Sequence, residues 1–189
     1  MNKVKSAVLL CIWLTILLGG VYPAVITLAA HFLFPEKSQG SLLIDPNGKV
    51  VGSLLLGQSF TEDRFFWPRP SSTAGFEYNP LASGGSNLGA THPELIRAAE
   101  KRTRQWREAG APEKIPADLV TASASGLDPH ISPTAALLQA DRVARARNMT
   151  RESMEQLVGT MIEDRQFGLL GEPRINVLAL NMALERLSP

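Results

Sequence analysis

Residues 6–35 contain no charged side chain, and Lys3 and Lys5 stand directly before them. A helix needs about 20 apolar residues to cross the hydrocarbon core of a bilayer, and this run exceeds that. Lipid offers no hydrogen-bond partners, so an isolated spanning segment must satisfy its own backbone and be helical. With both lysines ahead of the span, the positive-inside rule predicts a cytoplasmic N-terminus and puts everything from Glu36 on the other side of the membrane. Lys37 weakens that asymmetry, but Glu36 accompanies it. A cleaved signal peptide is the competing reading. Its apolar region would be about 7–15 residues long, roughly half the run seen here, with an A-x-A-like site after it. Leu28-Ala29-Ala30 ahead of His31 and Phe32 makes a poor site of that kind. The expectation is a retained anchor. Inside it, Gly19, Gly20 and Pro23 mark either a tolerated kink or a close packing site for a partner helix.

Charge excludes some classes for the rest of the chain. It has 19 Lys and Arg against 18 Asp and Glu in all, so with Lys3 and Lys5 set apart the remainder is near neutral. Neither nucleic-acid binding nor a polybasic membrane clamp is indicated by that balance. The one cysteine, Cys11, lies in the anchor. The downstream domain therefore has no internal disulfide and depends on its core. His31, His92 and His130 are far apart, with no ligand pair at helical or turn spacing, so no metal site is expected.

The expected fold class is α+β: a short cytoplasmic start and one transmembrane helix over 1–35, then a single extracytoplasmic domain over 36–189. Residues 41–60 read as a β-hairpin or small sheet. Leu42, Leu43 and Ile44 precede the turn signal Asp45-Pro46-Asn47-Gly48, and Val50, Val51, Leu54, Leu55 and Leu56 follow it. Gly52 and Gly57 suggest bulges or a close backbone approach. Residues 61–90 are rich in Pro, Gly, Ser and Asn, which excludes a helix there. Five aromatics (Phe65, Phe66, Trp67, Phe76, Tyr78) argue that this long loop is ordered and adhesive. Helices follow. One starts at Pro93 and stops at Gly110, with Leu95, Ala99 and Trp106 on one face and a solvated, salt-bridging set of Arg, Lys and Glu on the other. Residues 115–132 read as polar loop. Ser132 caps a helix to about Asn148, Thr150 caps the next, and a last helix begins at Asn176 with Val177, Leu180, Leu184 and Leu187 along one stripe.

Ser123, Ser125, Asp128 and His130 hold the residue types of a Ser–His–Asp triad. They lie within a few positions of each other, whereas a triad converges from separate elements around an oxyanion hole. Turn and capping roles explain the same residues. The glycine-rich stretch from Ser83 to Gly89 could cradle phosphate, but no G-x-x-x-x-G-K-[ST] pattern supports nucleotide hydrolysis. No catalytic residue is assigned.

Six blocks then stand in a recognisable order. They are 52–60; Phe66-Trp67-Pro68-Arg69-Pro70-Ser71; Ser83-Gly84-Gly85-Ser86-Asn87-Leu88-Gly89; 115–132; Gln139 with Arg142-Val143-Ala144 and Ala146-Arg147; and Gly171-Glu172-Pro173 with Asn176-Val177 and Leu180-Asn181. Over nearly its full length the chain resembles the C-subunit family of the bacterial Kdp potassium-transporting ATPase. Ala90 stands where that pattern has proline. The resemblance implies a non-catalytic accessory subunit of an ATP-driven potassium uptake complex in the bacterial inner membrane. Its implied partners are a channel-like potassium-binding subunit, a P-type ATPase subunit and a very small single-span subunit. Potassium is then the transported ion, and ATP is associated through the ATPase subunit rather than bound as a cofactor here. The family is described as a catalytic chaperone that raises the ATPase subunit's affinity for ATP, and is also placed over the extracytoplasmic mouth of the channel-like subunit. Gln139 is the position associated with the nucleotide role. Arg69, Ser86, Asn87 and Asp128 lie in loops expected at the partner or ion entrance. A domain outside the cytoplasm cannot meet cytoplasmic ATP, so any effect on nucleotide affinity is allosteric. Two other readings stand beside this one: a nucleotide-binding regulator facing the cytoplasm, which needs the reverse topology, and an anchored hydrolase using Ser125, Asp128 and His130.

Overall fold

The computed structural model describes residues 2–45 and 47–187. The chain divides into two compact units, Met1–Ser53 and Leu54–Pro189.

The first unit is built on an apolar helix of 31 residues, Lys3–Leu33. It comprises α1 (Lys3–Ile16), a π turn (Leu17–Val21) and α2 (Tyr22–Leu33). Among the described residues this is the one helix long and apolar enough to cross a membrane. The π turn lies directly ahead of Pro23, which has no N–H to give to the ladder, and Tyr22 N instead donates to Leu17 O five residues back. Gly19 and Gly20 sit inside that wider turn, and among the described residues nothing beyond their chain neighbours and the helix's own backbone comes within 4 Å of where a Cβ would stand on either. A short α3 (Pro35–Ser38) leads to β1 (Leu42–Ile44) and β2 (Val50–Ser53), which pair antiparallel. Asp45 shapes the connection, its carboxylate accepting from Asn47 N at 2.9 Å and Lys49 N at 2.8 Å. Pro46 of the expected turn lies outside the described residues.

Leu43 faces Gly52 and Ile44 faces Val50, so Val51 is an extra residue, a bulge beside Gly52. The second strand is shorter than its apolar run suggests. Leu54, Leu55 and Leu56 leave the ladder after Ser53 because their stretch bonds elsewhere in the second unit. Leu54 O accepts from Asn176 Nδ2 at 2.8 Å, and Gly57 N donates to Leu127 O at 2.8 Å.

The second unit gathers its core on α6 (Pro133–Ala146), α7 (Arg151–Thr160) and α8 (Val177–Leu187). Ser132 Oγ accepts from Ala135 N, and the Thr150 side chain accepts from Ser153 N, so both expected caps form. Buried Ala135, Ala136, Ala140, Val143 and Ala144 give α6 a smooth face, against which Met154 and Val158 of α7 are also buried. Each fully buried branched side chain contributes about 1.5–3 kcal/mol. α4 (Pro93–Glu108) begins with Pro93 in its first turn, and Gly110 takes φ +88° just past its end. Its Trp106 is buried and donates Nε1–H to Leu119 O at 3.1 Å.

Three expectations need correction. Residues 115–132 are not all loop: α5 (Ala117–Val120) and β3 (His130–Ile131) interrupt them, because Leu119 and Ile131 are drawn into the core. β3 pairs antiparallel with β4 (Ile175–Asn176), setting Ile131 opposite Ile175. α8 starts one residue later than expected, with the Asn176 side chain accepting from Ala179 N at 3.1 Å as its cap. Val177, Leu180 and Leu184 are buried along its stripe, but Leu187 is 51% exposed where the helix outruns the core. The third correction concerns α4. None of its charged residues makes an ion pair among the described residues: the exposed ones gain little from pairing in water, and half-buried Arg102 donates instead to Val120 O at 3.0 Å.

Candidate functional site

Residues 62–68 belong to no strand or helix, so their backbone groups need other partners wherever water is excluded. Two helix side chains supply them. Gln139 of α6 accepts from Trp67 N through Oε1 at 2.7 Å and donates Nε2–H to Trp67 O at 3.1 Å. Asn181 of α8 does the same for Phe66, accepting from its N at 2.9 Å and donating to its O at 3.0 Å. Each amide presents one donor and one acceptor side by side, as the edge of a strand does. Arg142, one turn along α6 from Gln139, donates to Asp63 O at 2.7 Å, Phe65 O at 3.0 Å and Gln139 Oε1 at 2.8 Å. Its guanidinium also lies 3.8 Å from the Trp67 ring centroid. Burial lowers the Arg142 guanidinium to about 10, opposed by nearby Asp63, so it stays charged at neutral pH. Arg147 donates to Arg64 O at 2.7 Å and pairs with Glu185.

A second cluster joins loops distant in sequence. Arg69 Nη1 lies 2.8 Å from Asp128 Oδ2. The other Asp128 oxygen accepts from His130 N at 3.0 Å and lies 3.3 Å from His130 Nδ1. Burial raises the Asp128 carboxyl, but hydrogen bonds from His130 and Arg69 outweigh it and hold the group below the usual carboxylate range. The Tyr78 hydroxyl donates to Arg69 O, and burial beside Glu77 and Asp128 pushes that phenol up. Gly57 allows this approach: a Cβ there would strike the Tyr78 ring and stand 2.9 Å from Asp128 O. The glycine's expected close backbone contact is therefore real. The loop from Ser71 onward is strapped down by Ser71 Oγ donating to Gly126 O at 2.8 Å, Ser83 Oγ donating to Ser125 O at 3.1 Å and Gly84 N donating to Ser125 O at 2.9 Å. Gly126 holds φ +68°, and a Cβ on it would stand 2.7 Å from Gly84 O. Beside the cluster lies an open cleft of about 790 Å³ bordered by Arg69, Lys114, Asp118, Asp128, His130 and Arg174.

The structure thus brings Arg69 and Asp128 into one ion pair. Ser86 and Asn87 lie exposed on the strapped loop, Asn87 at φ +51°. Gln139 is elsewhere, 1% exposed and engaged at both ends of its amide. Gly19, Gly20 and Pro23 belong to the other unit. Ser125 Oγ accepts from Leu127 N at 3.1 Å, and among the described residues no hydrogen bond joins Ser125 to His130. The nucleophile–base contact of a serine hydrolase is not formed in this arrangement. Asn181 and Arg142 escaped the sequence reading as functional residues. Their signal was a polar side chain on the apolar stripe of an amphipathic helix, where it must find partners.

One N-terminal helix of spanning length, followed by a mixed helix and small-sheet unit, fits a single-pass membrane protein of a transporter complex. The comparisons make that class specific. The family model described as KdpC, the K+-transporting ATPase c chain, matches residues 4–186. A relative in Geobacter metallireducens, named a potassium-transporting ATPase KdpC subunit, is 51% identical over 189 residues and covers all of both chains. Like-named relatives in Geotalea uraniireducens and Geobacter sulfurreducens are 53% and 54% identical, again over the whole of both chains. The chain belongs to the KdpC family of potassium-transporting ATPase subunits.

Proposed function

We propose that this subunit works as an accessory part of the complex, holding the channel-like, ATP-hydrolysing and small single-span subunits together, with its second unit outside the cytoplasm. The observation that carries this reading is how the polar side chains are used. Gln139, Asn181, Arg142 and Arg147 all bond to the backbone of residues 63–67, so their chemistry serves to fix a loop. A rigid loop surface loses little further entropy when a partner docks on it. Lys3 and Lys5 at the start of the helix support the outward placement. Gln139 then acts as a loop clamp, and a chaperone effect on ATP affinity is transmitted through differential contacts with the pump's states. Arg69, Ser86, Asn87 and Asp128 mark the loops that meet the partner or the ion entrance. Gly19, Gly20 and Pro23 offer the packing point for a neighbouring membrane helix. The test is affinity purification from detergent-solubilised membranes through a tag on this chain. Co-elution of the larger membrane subunits is expected, and recovery of the chain alone would contradict the proposal.

A further inference from the structure

Beyond α7 the chain makes a projecting arm. Glu163 bridges antiparallel to Arg174, Gln166 bridges to Leu170, and every residue from 162 to 172 is exposed. The tip is apolar: Phe167 is 88% exposed, Leu169 77% and Leu170 57%. It is also held in shape, since Gly168 N donates to Arg165 O at 3.0 Å and Leu170 N donates to Gln166 O at 2.9 Å. Phe167 has φ +57° and Gly168 φ +71°. A bulky residue is out of place in the left-handed region, where glycine or asparagine would sit without strain. The hairpin turn closed by Gln166 and Leu170 requires positive φ at both Phe167 and Gly168 and favours asparagine at the first, so Phe167 is a locally costly choice there. Its exposed ring forms no aromatic or cation–π contact among the described residues, so that choice points to a use outside the molecule.

We propose that Phe167, Leu169 and Leu170 form a docking knob that enters an apolar, basic-rimmed pocket on another subunit of the potassium-transporting ATPase. The proposal rests on the reading of this chain as an assembly subunit. Charge selects a protein pocket over a lipid surface. Arg165 pairs with Glu172 at 2.6 Å and Arg174 with Glu163 at 3.0 Å, so both cations of the arm are neutralised within it. Asp164 is left without an ion pair among the described residues, giving the arm a net negative charge. Anionic headgroups would repel that arm, whereas a pocket with a basic rim complements it. Three side chains make too small a contact for a whole interface, but an aromatic anchor in a desolvated pocket can dominate one.

The test places a photo-crosslinking residue, p-benzoylphenylalanine, at position 167 of the full chain in membranes containing the whole complex, with exposed Glu152 substituted likewise as control. An adduct at 167, absent from the control, with an ATPase subunit identified by mass spectrometry is the expected result. Adducts only with lipid, only with a second copy of this chain, or with nothing overturn the proposal. A second measurement uses F167S/L169S, whose changes lie on a wholly exposed arm. Its melting temperature should match the unmodified chain while recovery of the other subunits falls by about tenfold or more, as for loss of a hot-spot anchor. Undiminished recovery by this variant overturns the knob alone. Failure of the unmodified chain to recover any subunit overturns the assembly reading beneath it.

Discussion

Asn181 closes both backbone groups of Phe66, a residue with no exposed surface. Asn181→Leu keeps a similar volume but leaves that N–H and C=O buried without partners. Each such group costs about 1–3 kcal/mol, so urea unfolding should show a loss of roughly 2–6 kcal/mol. Gln139→Ala should destabilise for the same reason at Trp67, equally with and without ATP. Wild-type stability combined with loss of an ATP effect in the assembled complex would instead make Gln139 a nucleotide residue. Asp128 tests the electrostatics. Its carboxyl sits lower in the folded state than in the unfolded chain, where it titrates near about 4. Its stabilisation is therefore complete above the unfolded value and disappears as pH falls through the folded one. Asp128→Asn should lower the urea midpoint at pH 7, and the gap from the unmodified chain should close as the solution is acidified. A gap that stays constant to the lowest pH would contradict stabilisation of this carboxylate by His130 and Arg69.

At the scale of elements, the parts legible in the sequence were those whose cause is local. Ser132 and Thr150 cap the helices that follow them, and Pro93 opens α4, because a cap needs only its own first turn. The Gly52 bulge was visible as a glycine in an apolar run. The rest was set by distant contacts. No local pattern in Leu54-Leu55-Leu56 reveals that Leu54 O is taken by Asn176. The four residues of α5 and the two of β3 are likewise held by the core and by β4, not by propensity. The candidate site divides in the same way: Arg69 and Asp128 were placed in surface loops from sequence, but their pairing spans 59 positions. Phe167 offers a test at this scale. Phe167→Gly removes a left-handed bulky residue and should leave the thermal midpoint unchanged or raise stability by up to about 1 kcal/mol. Phe167→Ala, which keeps a Cβ, should not give that gain. A marked destabilisation by glycine would mean that the ring supports the arm from within.

For the whole molecule, the apolar helix and the polar lattice answer different questions. The helix Lys3–Leu33 is long and apolar enough to cross a membrane, with lysines at its start. The lattice from Gln139 to Asn181 fixes the backbone of residues 63–67 of the second unit through side chains on α6 and α8. The proposed function joins them in a subunit that would act by being in place on the outer side of the membrane. The most direct measurement is proteolysis of a tag fused after Pro189 in intact spheroplasts, with a cytoplasmic protein as the integrity control. The account predicts that the tag is lost while the cytoplasmic control survives. Full protection of the tag until the spheroplasts are lysed would reverse the topology and contradict it.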